Sequence, residues 1–429
     1  MGAVVAAASA TAQGVSTDGL VLPKGVAGAW DEAAVGAPIV RCYMGDDEQR
    51  WFMWYSGRAV GAPALDAVVQ SSGTVGVAVS SDGVNWRRSA DRVTGMSGAV
   101  ADVGASFEPN AGDWWSFDTC HVAPADVSIL SNSSVGSGWG GVAAAAGGNG
   151  GGGSTAVPPG VVAAAEAAAV TAGAAAVAAG AAAVAAGLSL EGLRMRPGLA
   201  MSQDGRNWAR IEGDHHTGAL FDVGAAGEWD QLFIGGPQVL ACGPKDMRLW
   251  YHSWDTSLGR YVIGMATSPD GFRWTKKGVV FDPVKAAAGS GSAPVHDVLG
   301  ASAHYIVKDM DTRQYLMFYE AVAADGGRSI GLAVSKDGLS GWKRHDKPVL
   351  QPTAEETGSW DSGSMGAPCV VSMSAGRWRL YYGGRAGRET GPWDGIGLAL
   401  NVEGGESFEG VSAQFKRRSG EGRIEQAIV

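Results

Sequence analysis

The stretch S-S-D-G-V-N-W, residues 80–86, sets an Asp-Gly pair between a serine and a tryptophan. Asp can cap nearby backbone N–H groups and Gly takes the positive φ, so the segment reads as a tight turn. The chain writes it again as S-Q-D-G-R-N-W at 202–208, S-P-D-G-F-R-W at 268–274 and S-K-D-G-L-S-G-W at 335–342, with a degenerate N-V-E-G at 401–404. Ser202, Ser268, Ser335 and Asn401 stand 66, 67 and 66 residues apart. From Ser80 to Ser202 the step is 122, an excess of 56 that falls in the one low-complexity stretch, rich in Ala and Gly, at about 131–190. A constant period marks a repeat architecture, and the excess reads as an insertion in the second unit.

Each unit repeats more than its turn. A Gly-led apolar run precedes the serine: G-V-A-V at 76–79, G-L-A-M at 198–201, G-L-A-V at 331–334, G-L-A-L at 397–400. Earlier lie aromatic runs, such as W-F-M-W-Y at 51–55 and Y-L-M-F-Y at 315–319. Earlier still are runs around a proline: G-A-P-I-V at 36–40, G-G-P-Q-V-L at 235–240, G-A-P-C-V-V at 366–371. Short β-branched or aromatic runs bounded by turn residues are strands, and a fourth follows the turn tryptophan. The chain is thus expected to be all-β, a five-bladed β-propeller with four antiparallel strands per blade and a low-complexity insertion in blade two. The propeller is expected over 28–405, after an N-terminal extension (1–27) and before a C-terminal segment (406–429) that could close the ring. The repeated turn is expected to hold blades together, with its tryptophan packed against a neighbouring strand or blade. Blade two shows no aromatic strand; W-G-G-V-A at 139–143 is its candidate.

Composition narrows the partners. A formal charge of −10 excludes the basic footprint of a nucleic-acid or anionic-membrane binder. Residues 167–190 carry no charge, but Ala and Gly are too weakly apolar for a membrane span. Cys42, Cys120, Cys242 and Cys369 are scattered, without a metal-binding or disulfide spacing, so they are expected as free thiols. No cofactor and no metal are expected. No Lys or Arg precedes Lys24, which leaves neither a secretory nor a transit signal supported and the cellular address open.

In a propeller the residues that can meet at the axis open the first strand of each blade or close the second. An acidic position opens each first strand: Trp30-Asp31, Phe117-Asp118, Trp229-Asp230, His296-Asp297 and Trp360-Asp361. The second strands close with Arg58, with His252 and Asp255, with Glu320 and with Arg385, while His121 is peculiar to blade two. Carboxylates, Arg, His and Trp suit sugar hydroxyls and sugar faces. Five blades, the W-D series followed by G-x-P, and the G-L-A-x-S-x-D-G-x-x-W turns resemble the five-bladed glycoside-hydrolase superfamily of arabinanases, levansucrases and invertases. The resemblance spans about 28–405 apart from the insertion. It implies cleavage of a glycosidic bond by paired carboxylates, with Asp31 as base or nucleophile, Asp118 as the orienting carboxylate and Glu320 as the acid. Trp30, Arg58, His121, Asp230, His252, Asp297, Asp361 and Arg385 are then the substrate-binding candidates, and an oligosaccharide or glycoside is the expected partner. The W-x-N-D-P-N-G-type opening and the R-D-P and E-C signatures of invertase-like members are missing. A catalytically silent carbohydrate-binding propeller and a protein-interaction platform therefore stand beside the hydrolase.

Overall fold

The structure is a computed structural model that describes residues 17–44, 49–60, 73–89, 104–110, 112–113, 115–119, 121–130, 140–148, 194–202, 204–291, 295–352, 358–374, 376–387 and 392–419. Among the described residues it is all-β apart from one helix, α1 (Pro283–Ser290), capped by Asp282 and ended by Gly291 in the left-handed conformation.

Among the described residues the strands form five sheets of four or five strands and one two-stranded ribbon. The first sheet holds β2 (Ala34–Met44), β3 (Gln49–Arg58), β4 (Thr74–Ser80), β5 (Arg87–Arg88) and β6 (Ala105–Phe107). The second holds β7 (His121–Leu130), β8 (Gly140–Gly148), β9 (Arg196–Ser202) and β10 (Trp208–Ile211). The third runs β11 (Gly235–Gly243), β12 (Asp246–Asp255), β13 (Arg260–Ser268) and β14 (Thr275–Phe281). The fourth runs β15 (Ala301–Lys308), β16 (Tyr315–Val322), β17 (Arg328–Ser335) and β18 (Lys343–Arg344). The fifth joins β19 (Ser364–Ser372), β20 (Trp378–Arg385) and β21 (Gly395–Asn401) with two strands from far apart, β1 (Leu20–Pro23) and β24 (Phe415–Arg417). The ribbon is β22 (Ser407–Phe408) with β23 (Val411–Ser412).

In each of the five larger sheets the first three blade strands form an antiparallel meander in chain order. The first strands touch one another in the cycle β2, β7, β11, β15, β19 and back to β2. Sheets arranged radially about an axis, each with its first strand innermost, make a β-propeller. Leu20–Pro23 pairs with Gly395–Gly397, and Phe415–Arg417 pairs with Ala399–Asn401. The last sheet therefore reaches beyond 28–405 at both ends.

Two expectations about the second sheet meet the structure differently. Residues 140–143 of the W-G-G-V-A candidate do form part of its second strand, but that strand, β8, GGVAAAAGG, lies inside the stretch read as an insertion. Ala replaces the aromatic residues of the other second strands, which is why composition made this segment look like filler. The remainder of 131–190, the uncharged run at 167–190 included, lies outside the described residues, as does Cys120. Cys42, Cys242 and Cys369 are free thiols. No helix among the described residues is long and apolar enough to cross a membrane.

The repeated turns have one chemistry. In the first, Ser80 Oγ accepts from Gly83 N at 2.9 Å, and Asp82 Oδ1 accepts from Val84 N and Asn85 N, both at 2.8 Å. Gly83, Gly205, Gly271 and Gly338 have φ of 70°, 71°, 82° and 71°, where a Cβ is strained. Three of the turns clip onto the preceding sheet through the glycine carbonyl. Tyr381 Oη donates to Gly83 O at 2.7 Å, Trp54 Nε1 to Gly205 O at 2.7 Å and Trp250 Nε1 to Gly338 O at 3.2 Å. The turn tryptophans Trp86, Trp208 and Trp342 pack edge-on against Tyr381, Trp54 and Phe281 of those same preceding sheets. The turn is an inter-sheet clip.

Candidate active site at the hub

The W-D aspartates do not reach the axis. Asp31 Oδ2 accepts from Tyr55 Oη at 2.9 Å and from Arg88 Nε at 2.7 Å. Tyr55 lies on the second strand of its sheet and Arg88 on the outermost. The pattern repeats: Asp230 with Tyr251 and Lys276, Asp297 with Tyr319 and Arg344, Asp361 with Tyr382 and Arg417. Asp118 takes Arg210 at 2.7 Å and Ser116 at 2.5 Å, as Asp361 also takes Ser359 at 2.7 Å; β8 offers no tyrosine. The basic partners sit on β5, β10, β14, β18 and β24, each the outer strand of its sheet. All five aspartates are buried, none more than 2% exposed. Burial, reinforced by the adjacent carboxylate, pushes the phenols of Tyr55, Tyr251, Tyr319 and Tyr382 up, so each stays a donor. Trp30 lies over Gly57 and Gly76, positions where a Cβ would collide with its ring, and tilts against Tyr55 at 5.5 Å. The expectation that Asp31, Asp118, Asp230, Asp297, Asp361 and Trp30 open toward the axis is therefore corrected. A loop that must tie the first strand's start to the outer strand carries its Asp away from the hub. The aspartate is a latch.

The hub itself is built by the first strands. Ile39, Asp126, Gln238, Tyr305 and Cys369 hold equivalent registers just past a β-bulge in their strands. Arg41 crosses the axis among them: Nε donates to Val127 O at 2.8 Å, and the guanidinium also meets Asp126 and the Tyr305 hydroxyl. Gln238 exchanges two bonds with the Ile306 backbone, 2.8 and 2.6 Å, and Val40 N donates to Cys369 Sγ. Burial works against the Arg41 charge, but Tyr305 and Asp126 outweigh it and hold the pKa above its ordinary value. At this level the axis is filled by polar side chains.

One bulge nearer the strand openings lies the second group. The G-x-P runs place Ala37, Gly236 and Ala367 at φ of 48°, 52° and 46°. That turn of the backbone aims Ala367 N at Glu320 of the neighbouring sheet, and the Glu320 Oε2 contact is 2.9 Å. Ser302 Oγ donates to Oε1 at 2.8 Å and Arg328 pairs with the same oxygen. Three donors on one carboxylate suit its ionised form, which only accepts. His252, in the register equivalent to Glu320, leans instead on Gly235 and Gly236 and faces His304 of the fourth sheet, ring centroids 6.4 Å apart. Burial pushes the His252 imidazole down to about 3, helped by His304 and Arg328; burial pushes His304 down to about 4. Both are neutral at physiological pH.

Solved structures decide the fold. The chain matches an N-acetylgalactosamine deacetylase from F. plautii in complex with blood group B trisaccharide at TM-score 0.52 and 15% identity, covering 90% of this chain and 94% of that one. It matches a glycoside hydrolase at 0.53 and 15%, covering 96% of each chain. A thermostable family-43 glycoside hydrolase follows at 0.52 and 12%, covering 91% and 95%. The chain shares the β-propeller fold of these proteins. No family model matches the sequence, and no curated protein does.

On this propeller, Arg58 and Arg385 close equivalent second strands, opposite Ala34 and Ser364. Arg58 is half-buried, and burial lowers its pKa. Arg385 is buried against the Trp393 ring at 5.3 Å. His121 opens β7 and is 1% exposed. Of the expected residues, Glu320 and His252 hold equivalent second-strand registers, Arg58 and Arg385 close their second strands, and His121 opens a first strand. Sequence reading passed over Arg328, Ser302, His304, Arg41 and Tyr305. The signal was present: A-S-A-H-Y at 301–305 stands where three of the other first strands carry G-x-P, and Arg328 is the one charged residue of its strand, R-S-I-G-L-A-V-S.

Proposed function

We propose that this protein is a five-bladed glycoside-hydrolase-type propeller that binds carbohydrate at the hub around Glu320. Five multi-stranded sheets whose first strands touch in a closed cycle support the blade count. One observation carries the functional reading: Glu320 is the carboxylate of the expected set that stands at the hub, while Asp31 and Asp118 are spent on outer-strand latches. Cleavage by an acid/base pair needs two carboxyl groups about 5–9.5 Å apart across the bond. Among the described residues the other hub carboxylate, Asp126, is bound to Arg41 and to the backbone N–H groups of Val127 and Val239. The arrangement favours holding a sugar over breaking its linkage.

The test is direct binding and turnover on a panel of plant-type oligosaccharides and aryl glycosides, with Glu320→Gln and Asp31→Asn compared with the wild type. The expected result is saccharide binding that Glu320→Gln weakens at least tenfold and Asp31→Asn leaves unchanged. Binding untouched by Glu320→Gln overturns the site. The hydrolase reading is second, favoured by two carboxylates, Glu320 and Asp126, on the first-strand and second-strand ring. Turnover that disappears in both Glu320→Gln and Asp126→Asn would establish it over binding alone.

A further inference from the structure

The repeated turn does not close the seam between the fourth and fifth sheets. Trp54, Trp250 and Tyr381, the residues that donate to the turn glycines, occupy equivalent registers opposite Val77, Met265 and Leu398. On the fourth sheet that register, opposite Leu332, is Phe318, which has no N–H or O–H to give. The turn due to face it is the degenerate N-V-E-G at 401–404. In its place the chain extends a hairpin arm, residues 402–414, with β22 and β23 at its tip. The arm lies on the fourth sheet. Gln314 Nε2 donates to Glu409 O and Lys343 Nζ pairs with the Glu409 carboxylate, both at 2.8 Å. At its base Phe415 packs edge-on against Phe318, ring centroids 5.7 Å apart, and Phe415 N donates to Val349 O at 2.9 Å.

His345 is where the arm and the sheet meet. It is 5% exposed, with the Phe408 ring 5.0 Å away. Its Nδ1 lies 2.7 Å from Lys347 O and its Nε2 3.3 Å from Glu406 Oε1. Lys347 Nζ reaches both Glu406 oxygens, at 3.2 and 3.3 Å, and holds that carboxyl below its ordinary value. A carbonyl oxygen and an ionised carboxylate only accept, whereas a neutral imidazole has one N–H and one lone pair. Both contacts are therefore hydrogen bonds only while the ring carries two protons; losing one sets lone pair against lone pair. The remaining charged or titratable groups around the ring stand against neither nitrogen: Arg344 and Asp346 pair at 3.1 Å, and burial pushes the His296 imidazole down.

We infer that residues 402–414 are a pH-gated clasp between the fifth and fourth sheets, engaged while His345 carries both ring protons and loosened when it gives one up. The arm leads directly into β24, whose Arg417 holds Asp361, so its grip is a grip on the closing row of the fifth sheet. Its direction on the pH axis opposes that of His252 and His304. Those two imidazoles, with their values pushed down, favour the folded chain as pH rises; the clasp tightens as pH falls through the range in which histidine gains its charge.

The experiment is hydrogen–deuterium exchange of the full chain at pH 5.5 and pH 8, with protection factors for 402–414 set against those for β16 and β17. The expected result in the wild type is an arm about fivefold more protected at pH 5.5, the scale of one hydrogen bond to a charged group at a half-exposed contact. Glu406→Gln puts an amide, which can accept or donate, against Nε2 and should bring that ratio below twofold. The Glu406 side chain is 41% exposed, so this replacement leaves the fold intact. His345→Gln, at the buried side of the contact, should flatten the ratio as well. A wild-type arm protected equally at the two pH values, or better at pH 8, overturns the inference. A Glu406→Gln protein that keeps the wild-type ratio also overturns it, since the titrating contact then lies elsewhere.

Discussion

At the scale of single residues, the chain spends its polar groups on two separate tasks. Turn aspartates are cheap and local. Asp82 and Asp204 lose some water, which alone would raise their pKa, but backbone N–H groups prevail and each is drawn down to about 2. Their contribution is complete above the unfolded carboxylate value near 4 and disappears as pH falls through about 2. Replacing either by Ala should cost about 1 kcal/mol, because the bonds are few and largely solvated; chemical denaturation at pH 7 measures it. His252 and His304 act in the opposite sense on the pH axis. Their folded pKa values lie below the unfolded value near 6.5, so stability is whole above that pH and declines as acid protonates the unfolded chain. At pH 5 each should forfeit about 2 kcal/mol relative to pH 8. Urea midpoints at the two pH values, wild type against His252→Phe, give the difference; an unchanged gap between the two proteins would contradict the buried neutral imidazole.

At the scale of elements, the latch explains both the success and the failure of reading the sequence. The S-x-D-G turns were legible because Ser, Asp and Gly do their work within four residues of one another. The W-D series was legible as a repeat, yet its direction was not. Asp31 could equally face the axis or the outer strand, and the deciding partner, Arg88, lies 57 residues away. Nothing in W-D names that arginine. The same holds for Glu320, whose neighbour Ala367 comes from another sheet. Breaking a buried pair leaves one charge uncompensated, so Arg88→Met should cost about 3–5 kcal/mol, while removing both partners in Asp31→Asn/Arg88→Met should recover much of it. Equilibrium denaturation of the four members of that cycle tests the latch. A single mutant as stable as wild type would show it to be idle.

At the scale of the whole molecule, the seams matter more than the sheets. A turn carbonyl clips onto the preceding sheet at three seams, and the hub is crossed by Arg41 rather than left as a channel. Arg41→Leu should lower the thermal midpoint by several degrees, since Asp126 and Tyr305 lose their shared donor; scanning calorimetry reads it, and a midpoint within a degree of wild type would mean that the hub is held by the backbone alone. The second sheet was only partly legible for a related reason. Residues 140–143 of the W-G-G-V-A candidate do belong to β8, but the strand carries Ala where its counterparts carry rings, and its full length, Gly140–Gly148, is set by its pairing with β7 and β9.

The edge of β21 is completed half by Leu20–Pro23 and half by Phe415–Arg417, and Arg417 from the second half anchors Asp361. During synthesis this sheet must wait: its outermost row is unfinished until the residues after 415 have left the ribosome. The first four sheets can form while translation continues, whereas the seal between first and last is necessarily a late, long-range event. A nascent chain stalled before residue 415 would leave the Ala399–Asn401 half of that edge without its pairing strand.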